Sequence, residues 1–318
     1  MTNLQSIHDE RTQLTSRNKF ELLLFRLGSP RPGVDSGLYG INVFKVREIV
    51  TMRTVTPIAG APEHVMGAID IRGQIIPVID LCRLTGCTPA REPGILLITE
   101  FARTTQAFAV VEVDDIVRLE WNQVHPADCA GGTGYITSIA RFQSEAGEQR
   151  LAQVLDVEQV LRNVFPEQHP DIDEKALSRA LKYSGGGKIL AADDSAFART
   201  LIGQALDAIG APHVLANTGE EAWQMLQRFA DEADKDGVQV RERIPLVITD
   251  LEMPEMDGFM LTRKIKADER LRHIPVIIHS SLTGAANEAH VRNAGANGYV
   301  AKFAPEELCT VICEALAS

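Results

Sequence analysis

From residue 188 onward the chain alternates five short apolar runs with five helical stretches, and that alternation leaves few folds open. The strand-like runs are Lys188–Ala192, His213–Ala216, Leu246–Thr249, Pro275–His279 and Gly298–Ala301. Between and after them, Ser195–Ile209, Gly219–Ala230, Gly258–Arg270, Asn287–Ala294 and Pro305–Ala317 carry apolar residues at helical spacing. Such β-α steps build an α/β, doubly wound, parallel five-stranded sheet with helices on both faces. Ligands of such a sheet sit at the carboxyl ends of its strands. The residues there are Asp193 and Asp194 after the first strand, Asp250 after the third, Ser280 after the fourth and Lys302 after the fifth.

Three carboxylates in one place repel. Two unit charges 4 Å apart interact by about 4 kcal/mol at an effective dielectric of 20. A hard divalent cation resolves this, and Mg²⁺ fits, because it takes a few carboxylates and keeps waters and phosphate oxygens in its shell. The cation and Lys302 then leave a carboxylate able to accept a phosphoryl group, with Ser280 placed to donate to it. Taken singly the residues are less telling. An Asp-Asp pair before a helix also serves as an N-cap, and an acid before a Pro-containing turn is ordinary. A haloacid-dehalogenase-type phosphatase needs an Asp two residues after its nucleophile, and position 252 is Glu.

The stretches Lys188-Ile-Leu-Ala-Ala-Asp-Asp-Ser195, Val247-Ile-Thr-Asp-Leu-Glu-Met-Pro-Glu-Met-Asp-Gly258, Pro275-Val-Ile-Ile-His-Ser280 and Gly295-Ala-Asn-Gly-Tyr-Val-Ala-Lys302 resemble a two-component receiver domain. The resemblance implies that Asp250 is the phosphoacceptor, and that the chain accepts its phosphoryl group from a histidine kinase and hydrolyses it again. It implies that Asp194 binds Mg²⁺ directly, Asp193 mainly through water, and the Glu252 backbone carbonyl as a further ligand. Ser280 and Lys302 become a switch pair, and Tyr299 matches the rotating aromatic switch. Many receivers follow the lysine with proline; here Phe303 stands there, so the local loop is expected to differ.

The first half is β-rich and carries no catalytic constellation. Phe20–Leu27, Leu38–Val50, Gln74–Leu81, Gly94–Thr99 and Ala107–Val113 are short aliphatic runs bounded by turn residues or charge. An internal echo links Ile75-Ile-Pro-Val-Ile-Asp-Leu81 with Leu151-Ala-Gln-Val-Leu-Asp-Val157, which suggests two similar lobes. The stretches Leu38-Tyr-Gly-Ile-Asn-Val-Phe-Lys-Val-Arg-Glu-Ile49 and Gly67-Ala-Ile-Asp-Ile-Arg-Gly-Gln-Ile-Ile-Pro-Val-Ile-Asp-Leu81 together resemble the CheW-like chemotaxis coupling domain. That resemblance implies an all-β double five-stranded barrel with no enzymatic activity. It also implies a bridge between the cytoplasmic tips of chemoreceptors and the histidine kinase CheA. Val46, Glu48 and Arg72 match receptor-facing positions, although an apolar strand residue such as Val46 also suits a core and Arg72 also suits a solvated turn.

The run Tyr183-Ser-Gly-Gly-Gly187 marks a linker, because three successive glycines are costly inside a helix or strand. The expected layout is a polar N-terminal segment (1–18), a coupling domain (19–168), a linker helix with its Gly-rich run (169–187) and a receiver (188–318). Charged, weakly periodic Asp231–Arg243 is expected to be an exposed excursion. A formal net charge of -11, negative in both halves, argues against nucleic-acid binding. No apolar run approaches the roughly 18 residues needed to span a bilayer, and the start lacks an apolar signal core. Five cysteines without a C-x-x-C pair suit a reduced, cytoplasmic chain. A coupling domain followed by a receiver is the layout of the CheV family, which the chain resembles. With no further output domain expected after the last helix, phosphorylation is expected to act on the coupling half at receptor arrays. A phosphate sink draining CheA and a constitutive scaffold are the alternatives.

Overall fold

The computed structural model describes residues 19–29, 31, 37–89, 91–101, 104–127, 134–144, 147–166, 183, 185–281, 294–302 and 305–317. The expected linker helix over 171–182, most of the helix over 287–294, the N-terminal segment, Cys129 and Phe303 lie outside the described residues. The chain divides into two compact units, Met1–His169 and Pro170–Ser318.

The first unit runs β1 (Lys19–Arg26), β2 (Leu38–Asn42), β3 (Val46–Thr51), β4 (Val65–Ile71), β5 (Gln74–Asp80), α1 (Leu81–Thr85), β6 (Ile95–Phe101), β7 (Thr104–Val110), β8 (Glu112–Glu120), β9 (Val124–Pro126), β10 (Ile136–Gln143), β11 (Gln149–Leu155) and α2 (Val157–Val164). Two sheets result, with orders β8-β1-β2-β11-β10-β9 and β3-β6-β7-β5-β4. Each has its own aliphatic core, one around Leu22, Leu24 and Leu119, the other around Ile76, Val78 and Leu96. The two-lobed all-β architecture is as expected, but the first sheet has six strands. The additional one, β9, pairs with β10 over Val124 to Pro126. Its counterpart in the other lobe shrinks to the single bridge Thr56↔Ala68, and Pro57, next in the chain, has no N–H to extend it.

The internal echo is a structural repeat. β5 lies parallel to β7, and β11 parallel to β2. Each then turns into a helix through an aspartate cap: Asp80 accepts from the Arg83 N–H and Asp156 from the Gln159 N–H. With this corner aligned, the order β8-β1-β2-β11-β10 matches β3-β6-β7-β5-β4 strand for strand, parallel pair included. The stretch Leu38–Val50 is not one run. After β2, Asn42 caps a single 3₁₀ turn, Val43–Lys45, by accepting from the Phe44 N–H. The chain then enters the second sheet as β3.

The second unit runs β12 (Ile189–Ala192), α3 (Ala196–Ala208), β13 (His213–Ala216), α4 (Gly219–Asp236), α5 (Val240–Arg243), β14 (Val247–Thr249), α6 (Gly258–Ala267), β15 (Val276–Ser280), β16 (Gly298–Ala301) and α7 (Pro305–Ala317). The strands pair in parallel in the order β13-β12-β14-β15-β16, the flavodoxin-like order. Leu190, Val247 and Val276 pack toward Leu226 and Leu261 on one face, while Ile189, Ile248 and Ile277 pack toward Leu206 and Ile312 on the other. Strands buried on both faces explain the near-continuous apolar runs.

The segment 231–243 departs from expectation. Helix α4 continues to Asp236, closes on left-handed Gly237 (φ 68), and is followed by the short α5. Ala230 and Ala233 are fully buried, so the charge-rich run up to Asp236 is the wet face of the last turns of α4, whose buried side there is alanine. Alanine contributes little to a hydrophobic pattern, which hides the periodicity. No helix among the described residues is long and apolar enough to cross a membrane.

Candidate functional site

A parallel sheet brings every strand's carboxyl end to one edge, and backbone bonds continue the register one step beyond it. Asp193 N donates to Ala216 O, Asp250 N to Ala192 O, and Lys302 N to Ser280 O at 3.0 Å. Asp193, Asp250, Ser280 and Lys302 are all buried, and Asp194 is half-buried. Each inner carboxylate spends one oxygen on local backbone. Asp193 Oδ1 accepts from Ser195 N at 3.0 Å, and Asp250 Oδ1 from Leu251 N at 2.7 Å. The second oxygens turn to Lys302, whose Nζ lies 2.8 Å from Asp193 Oδ2 and 3.0 Å from Asp250 Oδ2.

Asp193, Asp194 and Asp250 offer carboxylate oxygens all within 4.8 Å of one another. At that distance each pair repels by about 3.5 kcal/mol at an effective dielectric of 20. One ammonium cannot balance three carboxylates. The donors are all oxygen, and the pocket keeps a net negative charge. This is the chemistry of a hard divalent cation, and Mg²⁺ fits it. Glu252 lies half-buried in the loop between β14 and α6. Tyr299 sits on β16 opposite Ile278 and packs, half-buried, against the cluster of Leu251 and Ile278.

Three features of this edge gave little or no sequence signal. A Cβ on Gly258 would lie 2.0 Å from the Asp250 carbonyl oxygen, so α6 begins in contact with the acceptor's backbone. Arg199, on α3, donates from Nη1 to the carbonyl oxygens of Asp193 and Asp194. His279 is buried beside the site, and its Nδ1 has no hydrogen-bond partner among the described residues.

Burial, reinforced by the charge of Lys302, pushes the His279 pKa down to about 3, with Asp250 opposing. The unfolded chain protonates this ring near pH 6.5 while the folded chain keeps it neutral. Its contribution is therefore complete above about pH 6.5 and is lost as pH falls toward 3, at up to about 1.4 kcal/mol per pH unit. His279→Val is expected to flatten the fall in urea-unfolding free energy between about pH 6.5 and 4 by close to one proton. An unchanged slope would contradict this.

In the first unit, Arg72 (φ 55) and Gly73 (φ 84) form the tight turn joining β4 to β5. Asp70 Oδ1 accepts from the Gly73 N–H at 2.7 Å. The Arg72 side chain is 78% exposed and its Nη2 lies 3.0 Å from Glu48 Oε2. Glu48 and Arg72 thus come together at the surface. Val46 does not join them: it is 3% exposed and belongs to the core, which corrects its assignment as a partner-facing residue. The cause is a register shift between Val46 and Glu48, where two steps on β3 face one on β6, so residues two apart no longer share a face.

Comparison with known proteins agrees with both units. Residues 21–165 match the CheW-like domain and residues 189–313 the response regulator receiver domain. Chemotaxis protein CheV2 of Helicobacter pylori is 31% identical over 310 residues, spanning 92% of this chain and 94% of that protein. CheV3 of the same organism is 30% identical, spanning 94% of this chain and 95% of its own length. CheV1 is likewise 30% identical, spanning 96% and 95%. With both domains matched in order and full-length relatives on that scale, the chain belongs to the CheV family of chemotaxis proteins.

Proposed function

We propose that the chain is a chemotaxis adaptor whose CheW-like unit joins chemoreceptor tips to the histidine kinase CheA, and whose receiver regulates that coupling through phosphorylation at Asp250. The observation that carries the reading is the sheet-edge pocket, in which Asp250 Oδ2 stands 3.0 Å from the buried Lys302 ammonium among two further carboxylates.

Asp250 attacks through Oδ2, since Oδ1 is engaged by the Leu251 N–H. The phosphorus–nitrogen bond of a kinase phosphohistidine breaks, the electron pair stays with the imidazole, and a phosphorus–oxygen bond forms at Asp250. Lys302 offsets charge on the transferring oxygens. Asp193, Asp194, Asp250 and the Glu252 carbonyl would hold Mg²⁺, which would supply further screening of the phosphoryl oxygens when bound. The acyl phosphate then brings new charge and strong acceptor oxygens into the pocket. Ser280 donates to one of them and Lys302 pairs with another. Tyr299 and α7 repack, shifting the population between two coupling states.

The test is kinase activity in receptor arrays reconstituted with the unphosphorylated or the phosphorylated chain. Activity must differ between them. Equal activity, with phosphate still consumed, would leave the receiver as a phosphate sink. In the coupling unit, Arg72→Glu sets two carboxylates against each other at an exposed turn. Receptor-fragment pull-down is expected to fall about tenfold, the equivalent of about 1.4 kcal/mol. Unchanged capture would remove Arg72 from the receptor-facing surface.

A further inference from the structure

We propose that Arg199 is a positioning residue for the divalent-cation site, an assignment that rests on reading Asp193, Asp194 and Asp250 as that site. Arg199 stands on α3, one turn below the serine that caps it. Its Nη1 donates to Asp193 O at 2.8 Å and to Asp194 O at 2.9 Å. A single guanidinium nitrogen thus clamps both peptide carbonyls of the acidic pair. The far side of the same loop is fixed by Asp193 Oδ1, which accepts from the Ser195 N–H, and by Ser195 Oγ, which accepts from the Ala198 N–H. The loop carrying two of the three carboxylates is therefore tied at successive peptide units to the start of α3.

Asp194 has most to gain from this clamp. Asp193 is fully buried and so held by its surroundings, whereas Asp194 is only half-buried. Rotation of its peptide unit would swing its carboxylate away from Asp193 and Asp250. Arg199 opposes that rotation while leaving the carboxylate facing the pocket.

The guanidinium also acts in the opposite sense, because a cation near the pocket repels an incoming cation. The two effects differ in sign, so removal of Arg199 separates them. Arg199 is half-buried and its charge is screened by solvent, while its two hydrogen bonds are local. Loss of orientation is expected to dominate. Groups that orient metal ligands from behind are worth about 10–100-fold in affinity.

The experiment is calorimetric titration of the full chain with MgCl₂ for wild type, Arg199→Met, Arg199→Lys and Asp194→Asn, with melting temperatures recorded in the absence of Mg²⁺. Arg199→Met is expected to bind Mg²⁺ about tenfold or more weakly at a melting temperature close to wild type. Arg199→Lys is expected to fall between, because an ammonium keeps the charge and can donate to both carbonyls, but its flexible four-carbon stem holds them less rigidly. Affinity equal to or tighter than wild type in Arg199→Met overturns the assignment. Should that variant not fold, Arg199→Lys decides: several-fold weaker binding supports the role and wild-type binding overturns it. If wild type itself binds no Mg²⁺, the cation-site reading fails and takes the proposal with it. If binding is lost in Asp194→Asn but kept in Arg199→Met, only the role of Arg199 fails.

Discussion

Asp250→Asn is expected to cut phosphoryl label on the chain by on the order of a hundredfold or more while leaving the receiver folded. An amide oxygen carries no full negative charge and does not form the acyl phosphate. The substitution removes one of three mutually repelling carboxylates, and Lys302 keeps its contact with Asp193 at 2.8 Å. The melting temperature should therefore hold or rise, which separates loss of chemistry from loss of fold. In receptor arrays the variant should keep kinase activity at the unphosphorylated level whatever the phosphate supply. Label retained at wild-type levels would move the acceptor to another residue.

Gly258→Ala is expected to cost roughly 2–3 kcal/mol, although helix propensity alone favours alanine by about 1 kcal/mol. The added Cβ would sit 2.0 Å from the Asp250 carbonyl oxygen and 3.2 Å from Leu251 Cα. Both are backbone atoms, so no side chain can rotate away; either α6 or the acceptor loop must shift. For a unit of this size the loss corresponds to about 8 °C in melting temperature. Because Asp250 Oδ1 is held by the Leu251 N–H in that loop, phosphorylation should fall as well. Gly237→Ala is the control. Its φ of 68 makes alanine strained, but nothing lies within 4 Å of the added carbon. It should cost only about 1 kcal/mol and leave phosphorylation unchanged. A Gly258→Ala chain that melts with wild type would contradict the close approach of α6 to Asp250.

The receiver was largely legible because parallel strands buried on both faces write continuous apolar runs, and polar residues that end such runs have one place to go. Asp193, Asp250, Ser280 and Lys302 all lie at one sheet edge for that reason. The first unit was legible as two β lobes, and the Asp80 and Asp156 corners even exposed the repeat. Its finer geometry was not. The bulge that buries Val46 while leaving Glu48 beside Arg72 is a matter of register against β6, which the residues of β3 do not encode alone. The end of α4, from Asp231 to Asp236, reads as an exposed excursion because its buried side there is Ala233, which is nearly silent on a hydropathy scale. Arg199 and His279 gave no signal: an arginine on a helix and a histidine in a strand acquire meaning only from what lies across the fold.

Phosphoryl acceptance at Asp250 is tested by transfer of labelled phosphate from phosphorylated CheA to the chain, with Mg²⁺ present or chelated. An acceptor role for Asp250 in a cation-assisted pocket predicts rapid labelling with Mg²⁺, a fall by on the order of a hundredfold on chelation, and label that maps to Asp250. Labelling that proceeds equally well in chelator, or that settles on a residue outside the Asp193, Asp194 and Asp250 pocket, would contradict it.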